Sequence, residues 1–270
     1  MNQNPLTPTV TNWDEQRRSF DRVAEAYDTF RPGYPRELIA AIVAAAALRA
    51  ESRLLEIGSG TGKATAEFAS LGCSILGVEP GPELAAVAAR RLAAFPRVTF
   101  QQARFEDCTL PPEPFDLVFS AQAFHWVTPE VGLTKAAEAL KPGGWLALFW
   151  NRYPGMVGAL AQEIQEAYDG LGVASMVTPD YAQKMERDIR ERQEHLERSG
   201  LFSGLQVLRF AWSVQYTAQQ YLGLLGTYSD HITLPATQRA ALFAGVAAAI
   251  ERHGGLIDRP YVAVLHLAQR

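Results

Sequence analysis

Cysteine is scarce in this 270-residue chain: it has two, Cys73 and Cys108. Two cysteines cannot build a disulfide framework or a cysteine-based zinc site, so no metal centre is expected. A membrane-length apolar run is also missing. The Ala-rich stretch Leu38 to Leu48 has eleven residues between Glu37 and Arg49. A span needs about twenty, so this stretch reads as a buried helix. Basic charge is not in excess either, with 25 Lys and Arg against 29 Asp and Glu and a formal net charge of −4. That balance argues against duplex nucleic acid as a partner. The N-terminal Met1 to Thr11 is polar and rich in Pro and Thr, and does not read as a secretory leader. No internal repeat or low-complexity linker stands out. The expectation from these absences is a soluble cytoplasmic protein.

What is present is a large apolar fraction, 48%, with only 20% charged residues, ample for a buried core. The first half alternates strand and helix signals. Strands are expected at Arg53 to Ile57, Ser74 to Glu79, Arg97 to Gln101, Phe115 to Ser120 and Trp145 to Trp150. Helices are expected at Thr61 to Leu71, Glu83 to Phe95 and Pro129 to Leu140, the last stopped by a turn at Lys141-Pro142-Gly143-Gly144. Apolar strands separated by helices imply a parallel sheet covered on both faces. Such sheets bind ligands beyond the carboxyl ends of their strands, where the strand order reverses. Gly58, Glu79, Glu106 and Ala121 sit at or just past such ends.

The second half changes rhythm. Helices are expected at Gly158 to Asp169, Asp180 to Arg198, Thr217 to Thr227 and Pro235 to Arg252, and strands at Leu205 to Val214 and Tyr261 to Leu267. The mixed charges of Glu186 to Arg192 read as a solvated helix face with Glu186 four residues before Arg190. The division expected is an N-terminal helical segment over residues 1–50, an α/β core over 51–151, a helical cap over 152–204, and late core strands with inserted helices over 205–270.

Three kinds of nucleotide loop compete for Gly58-Ser59-Gly60-Thr61-Gly62-Lys63-Ala64. A P-loop would need Gly where Ile57 stands and a hydroxyl where Ala64 stands, so it fails twice. The dinucleotide fingerprint would need its third glycine at Lys63, a long side chain where close approach is required. It fails less decisively, and a nicotinamide-dependent oxidoreductase stays as the alternative. What remains is Glu56 followed by glycines at 58, 60 and 62. Such glycines let backbone approach a small zwitterion, and the Glu56 carboxylate can attract its ammonium. Glu79, twenty-one residues after Gly58, can accept both hydroxyls of a ribose.

These residues belong to a longer ordered set. It runs through Phe20 to Tyr27, Phe30 to Pro35, Leu54 to Gly62, Arg104 to Asp107, Phe115 to Val118, Ala121 to Trp126 and Tyr216 to Ser229. The set resembles the class I S-adenosyl-L-methionine-dependent methyltransferases, and within them the small-molecule group related to trans-aconitate methyltransferase. The resemblance implies an α/β fold: an open, mostly parallel seven-stranded Rossmann-like sheet with helices on both faces and an inserted helical cap. It implies S-adenosyl-L-methionine as cofactor and a small-molecule acceptor, with a carboxylate among the acceptors it suits.

Carried over, the resemblance puts Gly58, Ser59 and Gly60 against the methionine part of the cofactor, with Glu56 beneath. Glu79 and Pro80 meet the ribose side. Phe105 and Glu106 lie where relatives contact adenine, and Arg104 replaces the Asp that many of them carry just before that pair. Ala121 and Gln122 border the reacting methyl, while Tyr27, Arg31 and Tyr34 belong to a segment folded over the cofactor. Tyr34, His125, Trp126 and Tyr228 are expected at the substrate, with His125 the candidate catalytic base. Packing of His125 and Trp126 against the cap, with Thr128 capping the next helix, is the plainer reading of that pair. A protein that binds the cofactor without catalysis is a further alternative. His231 sits in the expected cap, and His195, His253 and His266 read as surface or packing residues.

Overall fold

The computed structural model describes residue 21, residues 23–171, residue 173 and residues 180–270. The polar stretch Met1 to Thr11 and the motif residues Phe20 and Arg22 lie outside the described residues. Among those described, seven strands form one sheet in the order β3-β2-β1-β4-β5-β7-β6. They are β1 (Arg53–Ile57), β2 (Ser74–Glu79), β3 (Val98–Gln102), β4 (Phe115–Ala121), β5 (Leu140–Arg152), β6 (Ser203–Thr217) and β7 (Leu256–Gln269). β1 to β5 pair in parallel, and β7 runs antiparallel to both β5 and β6. The order reverses between β1 and β4, which opens a crevice beyond their carboxyl ends.

The expected coverage on both faces is present. Helices α1 (Ala24–Phe30) and α2 (Arg36–Ala45) precede β1, while α3 (Lys63–Ala69), α4 (Pro82–Arg91) and α5 (Pro129–Ala139) lead from β1 to β2, β2 to β3 and β4 to β5. On one face Leu54, Leu117, Phe119 and Phe149 pack against Leu38 and Ile42 of α2 and Phe68 of α3. On the other, Leu55, Val118, Leu146 and Leu148 pack against Leu133 and Ala136 of α5. Consecutive strand residues buried on opposite faces explain the continuous apolar runs of the sequence.

Two expectations change in the second half. The turn expected at Lys141 to Gly144 lies inside β5, because Leu140 already pairs with Phe115 and Trp145 with Leu117. The residues between bulge out, Gly143 taking φ +74°. The late strands are also longer than their apolar alternation suggested. Polar pairs such as Gln215 and Asp258, bonded at 3.1 Å, extend the antiparallel β6–β7 pair past the end of β5. Helices α6 (Ala159–Tyr168), α8 (Ala218–Leu225) and α10 (Ala236–Arg252) pack on this projecting end through Ile164, Tyr221, Leu224, Val246 and Ile257. Thr217 and Gln220 form a capping box that starts α8, and the short α9 (Ser229–Ile232) follows.

Helix α7 (Asp180–Ser199) lies against the sheet. Its charged run is only partly the solvated face expected from sequence. Glu186 bonds Arg209 of β6 at 2.8 Å, and Asp188 pairs with Arg152 of β5 at 3.3 Å. Two of its acids thus pair with strands of the sheet. Among the described residues no helix is long and apolar enough to cross a membrane. Phe119 joins the core at its centre, its ring 4.7 Å from Phe68 and 6.4 Å from Phe149. Phe119→Ala is expected to cost roughly 3–5 kcal/mol of stability in urea unfolding; a loss below about 1 kcal/mol would show that this part of the sheet is not tightly packed.

Candidate active site

The turn after β1 needs three glycines for three different reasons. Gly58, Gly60 and Gly62 have φ of +70°, +54° and +77°, the left-handed region that side chains disfavour. A Cβ on Gly58 would lie 2.3 Å from the Ala123 Cβ, and one on Gly62 2.9 Å from Leu92 Cδ1. A Cβ on Gly60 would meet nothing within 4 Å, because Gly60 faces a cleft of about 560 Å³. That size suits a cofactor-sized ligand.

Glu79 ends β2 and joins the two strand-end loops. Its Oε2 accepts the Gly60 N–H at 2.8 Å and its Oε1 accepts the Gly81 N–H at 2.9 Å. Glu56, at 1% exposure, accepts a hydrogen bond from the Thr65 hydroxyl at the start of α3. Burial pushes its carboxyl up to about 8; the Thr65 bond opposes that shift and the nearby Glu79 adds to it. The hydroxyls of Ser59 and Thr61 are buried and have no hydrogen-bond partner among the described residues.

The far wall comes from the ends of β3 and β4. Phe105 is buried, and Glu106 Oε1 accepts both the N–H and the hydroxyl of Thr128, at 3.1 and 3.3 Å. The Glu106 carboxylate thus holds the start of α5, and Arg104 lies 3.6 Å from the same oxygen. Gln122 follows β4 with φ +60°, held by its N–H bond to Phe149 O at 2.9 Å. A non-glycine residue in that region stores strain, which is common at functional sites. His125 and Trp126 form a short 3-10 turn, their ring centroids 4.7 Å apart. The Trp150 indole N–H donates to His125 Nδ1 at 3.3 Å.

The roof comes from the N-terminal segment. Arg31 donates to the hydroxyl and the carbonyl of Thr227 at 2.7 and 2.9 Å, which ties the roof to the end of α8. Tyr34 meets Phe149 edge-on at 4.9 Å, and burial holds its phenol well above the usual value. Asn151 fixes the segment again, its Nδ2 donating to Gly33 O at 2.8 Å.

Every site residue expected from sequence lines this one cleft except Tyr228, which packs over the Arg31 guanidinium at 4.0 Å, one layer behind. Lys63 and Thr61 line it as well; their places in the loop were legible but their exposure to the cleft was not. Asn151 had no signal in the sequence, since its role depends on the strand end meeting residue 33. Among the remaining histidines, His231 is buried and bonded to Tyr168 and Asp230, and His253 pairs with Glu163. Cys73 and Cys108 are buried free thiols, and no group of three metal-binding side chains occurs among the described residues.

Comparison with known proteins now decides the family. Residues 55–148 match the profile of a methyltransferase domain. Uncharacterised methyltransferases of Mycobacterium tuberculosis and Mycobacterium bovis are 30% identical over 251 residues, 91% of this chain and 93% of their own length. The chain belongs to the S-adenosylmethionine-dependent methyltransferases. Solved structures agree on the fold. A protein of Anaeromyxobacter dehalogenans assigned as a type II methyltransferase superposes with a TM-score of 0.64 at 23% identity, covering 89% of this chain and 98% of its own. An S-adenosylmethionine-dependent methyltransferase of Geobacter sulfurreducens, solved with S-adenosylhomocysteine, gives 0.52 at 15% identity, covering 94% and 98%. The oxidoreductase alternative is not favoured, in line with Lys63 standing where that fingerprint needs glycine.

Glu56 gives this methyltransferase a testable pH dependence. Its carboxyl stays protonated in the fold up to about pH 8, whereas in the unfolded chain it ionises above the ordinary 4.5. Folding therefore takes up a proton between those values, and stability falls as pH rises through the window, by up to about 1.4 kcal/mol per unit. Glu56→Gln should flatten this slope in urea unfolding compared at pH 5 and pH 7.5. Equal slopes in both proteins would contradict the assignment.

Proposed function

We propose that this methyltransferase acts on a small-molecule acceptor, with a carboxylate as the first class to test, in the cleft between Gly58–Gly62 and Ala121–Trp126. The observation that carries the placement is the Glu79 carboxylate, held at the carboxyl end of β2 by the N–H groups of Gly60 and Gly81. A carboxylate has about four lone-pair directions, so the same oxygens can accept the hydroxyls of a ribose. Gly60 offers bare backbone to the methionine part, and Ser59 and Thr61 bring hydroxyls in need of partners. Glu56 lies where an ammonium group would draw it into its ionised form. Pro80, Phe105 and Glu106 are assigned to the adenosine end. Glu106, whose Oε1 also accepts from Thr128, is assigned to the adenine amine. Ala121 and Gln122 are placed beside the reacting methyl.

S-adenosylmethionine supplies a methyl already activated by its sulfonium, and what the protein adds is alignment and exclusion of water. Tyr27, Arg31 and Tyr34 roof the cleft and restrict water. Tyr34, His125 and Trp126 are assigned to the acceptor, His125 as the catalytic residue, and Tyr228 supports them through Arg31. A carboxylate acceptor needs no proton removed before it attacks, whereas a hydroxyl or amine does. The grouping with trans-aconitate methyltransferase is part of this proposal. So is the division into a segment of residues 1–50 over the cofactor, a core of 51–151, a cap of 152–204 and late strands with inserted helices of 205–270.

Two measurements test it. Glu79→Ala and Gly60→Val should each weaken S-adenosylhomocysteine at least tenfold in calorimetry, about 1.4 kcal/mol; a smaller loss in both would remove the cofactor from this cleft. A screen of carboxylate, phenol and amine acceptors with methyl-labelled cofactor should yield a methyl ester. Label appearing on amines alone would overturn the carboxylate assignment, and binding without any turnover would favour a non-catalytic protein.

A further inference from the structure

We infer that Trp150 is a positioning residue that holds His125 as its Nε2–H tautomer, so that His125 meets the acceptor as a hydrogen-bond donor and not as a base. The inference rests on the proposed reading of the cleft as the methyl-transfer site. It starts from an asymmetry between the two rings. An indole N–H can only donate, and a neutral imidazole has one donor and one acceptor nitrogen. Trp150 Nε1 lies 3.3 Å from His125 Nδ1. Nδ1 must therefore accept, and the ring proton sits on Nε2, because the bond made by one nitrogen decides which tautomer is present.

The lock is built so that it cannot swing away. Trp150 is buried near the end of β5, where its backbone pairs with Val264 of β7. Its indole is clamped from outside by Arg192 of α7, whose guanidinium carbon lies 4.0 Å from the ring centroid. His266 of β7 meets the same indole edge-on, 5.8 Å away at 83°. A cation over the face of an indole draws electron density from it and makes its N–H a better donor. Burial pushes the Arg192 guanidinium down to about 10 and the His266 imidazole down to about 4. At neutral pH Arg192 is therefore still a cation and His266 still neutral, which suits this arrangement. The Arg192 clamp also accounts for one charge of α7 that a solvated helix face does not explain.

The consequence concerns the proton. His125 lines the cleft while its Nδ1 edge is turned toward Trp150. A ring already carrying its proton on Nε2 cannot take another from an acceptor hydroxyl or amine at that atom. It can donate a hydrogen bond to an oxygen that arrives with its lone pair available. His125 then orients that oxygen and keeps its own proton throughout.

The test is nuclear magnetic resonance of the full chain labelled with 15N-histidine, at about pH 8.5, where an ordinary imidazole is neutral. The His125 signal is assigned by its loss in His125→Gln. The expected result is the Nε2–H pattern in the wild type and a shift toward mixed tautomers in Trp150→Phe. An Nδ1–H pattern in the wild type overturns the proposal, and needs no variant to fold. Unchanged His125 signals in Trp150→Phe overturn it as well. With any acceptor that turns over, Trp150→Phe should lower kcat/KM for that acceptor about fivefold to tenfold, the worth of one hydrogen bond, and leave S-adenosylhomocysteine affinity unchanged. A matching loss of S-adenosylhomocysteine affinity would mark Trp150 as merely structural. Failure of the wild type to bind S-adenosylhomocysteine would sink the reading of the cleft, while the tautomer result would stand apart from it.

Discussion

The hydrogen bonds from Gly60 and Gly81 to the Glu79 carboxylate hold the structure together at its functional end. They join the loop after β1 to the loop after β2, beside the point between β1 and β4 where the sheet reverses its strand order. The bonds are possible because Gly60 adopts a left-handed turn that directs its N–H at the carboxylate. Charge-assisted bonds of this kind are stronger than neutral ones, and the acid is buried. The loop geometry and the position of the acid therefore define one another.

Around that junction the cleft is assembled from a floor and a roof. The floor belongs to the parallel strands, whose side chains are packed on both faces. The roof adds polar contacts, Arg31 to Thr227, Asn151 to Gly33, and Asp21 accepting the N–H groups of Glu83 and Leu84, to the apolar packing of Tyr34 on Phe149 and of Ala24 with Leu84 and Val87. Exposed ion pairs such as Arg91 with Asp28 add less than about 1 kcal/mol each. Thr227, which anchors Arg31, follows helix α8 on the projecting end of the β6–β7 pair.

Much of the fold was legible because its signals are local. The alternation of apolar strands with helices, the Gly58-Gly60-Gly62 spacing and the place of Glu79 all lie within short windows. The bulge at Lys141 to Gly144 was misread as a turn, because Pro and Gly signal a break without saying whether the ladder resumes around it. The ends of β6 and β7 were read short, because cross-strand polar pairs such as Gln215 with Asp258 have no periodicity to detect. Tyr228 illustrates another limit. A helix-end aromatic was expected to face the pocket, yet its ring covers Arg31, a residue 197 positions earlier in the numbering.

The sequence by itself determined the kind of sheet and the place of the cleft at the ends of β1, β2 and β4, and its ordered motifs pointed to the family. Each follows from backbone preferences and burial patterns that act over a few residues. Only the tertiary structure decided how the side chains are used. Glu106 serves Thr128, Glu186 serves Arg209, and Trp150 addresses His125 under the charge of Arg192. These pairings join residues distant in the chain, and a side chain's partners are set by which elements the packing of the sheet brings together.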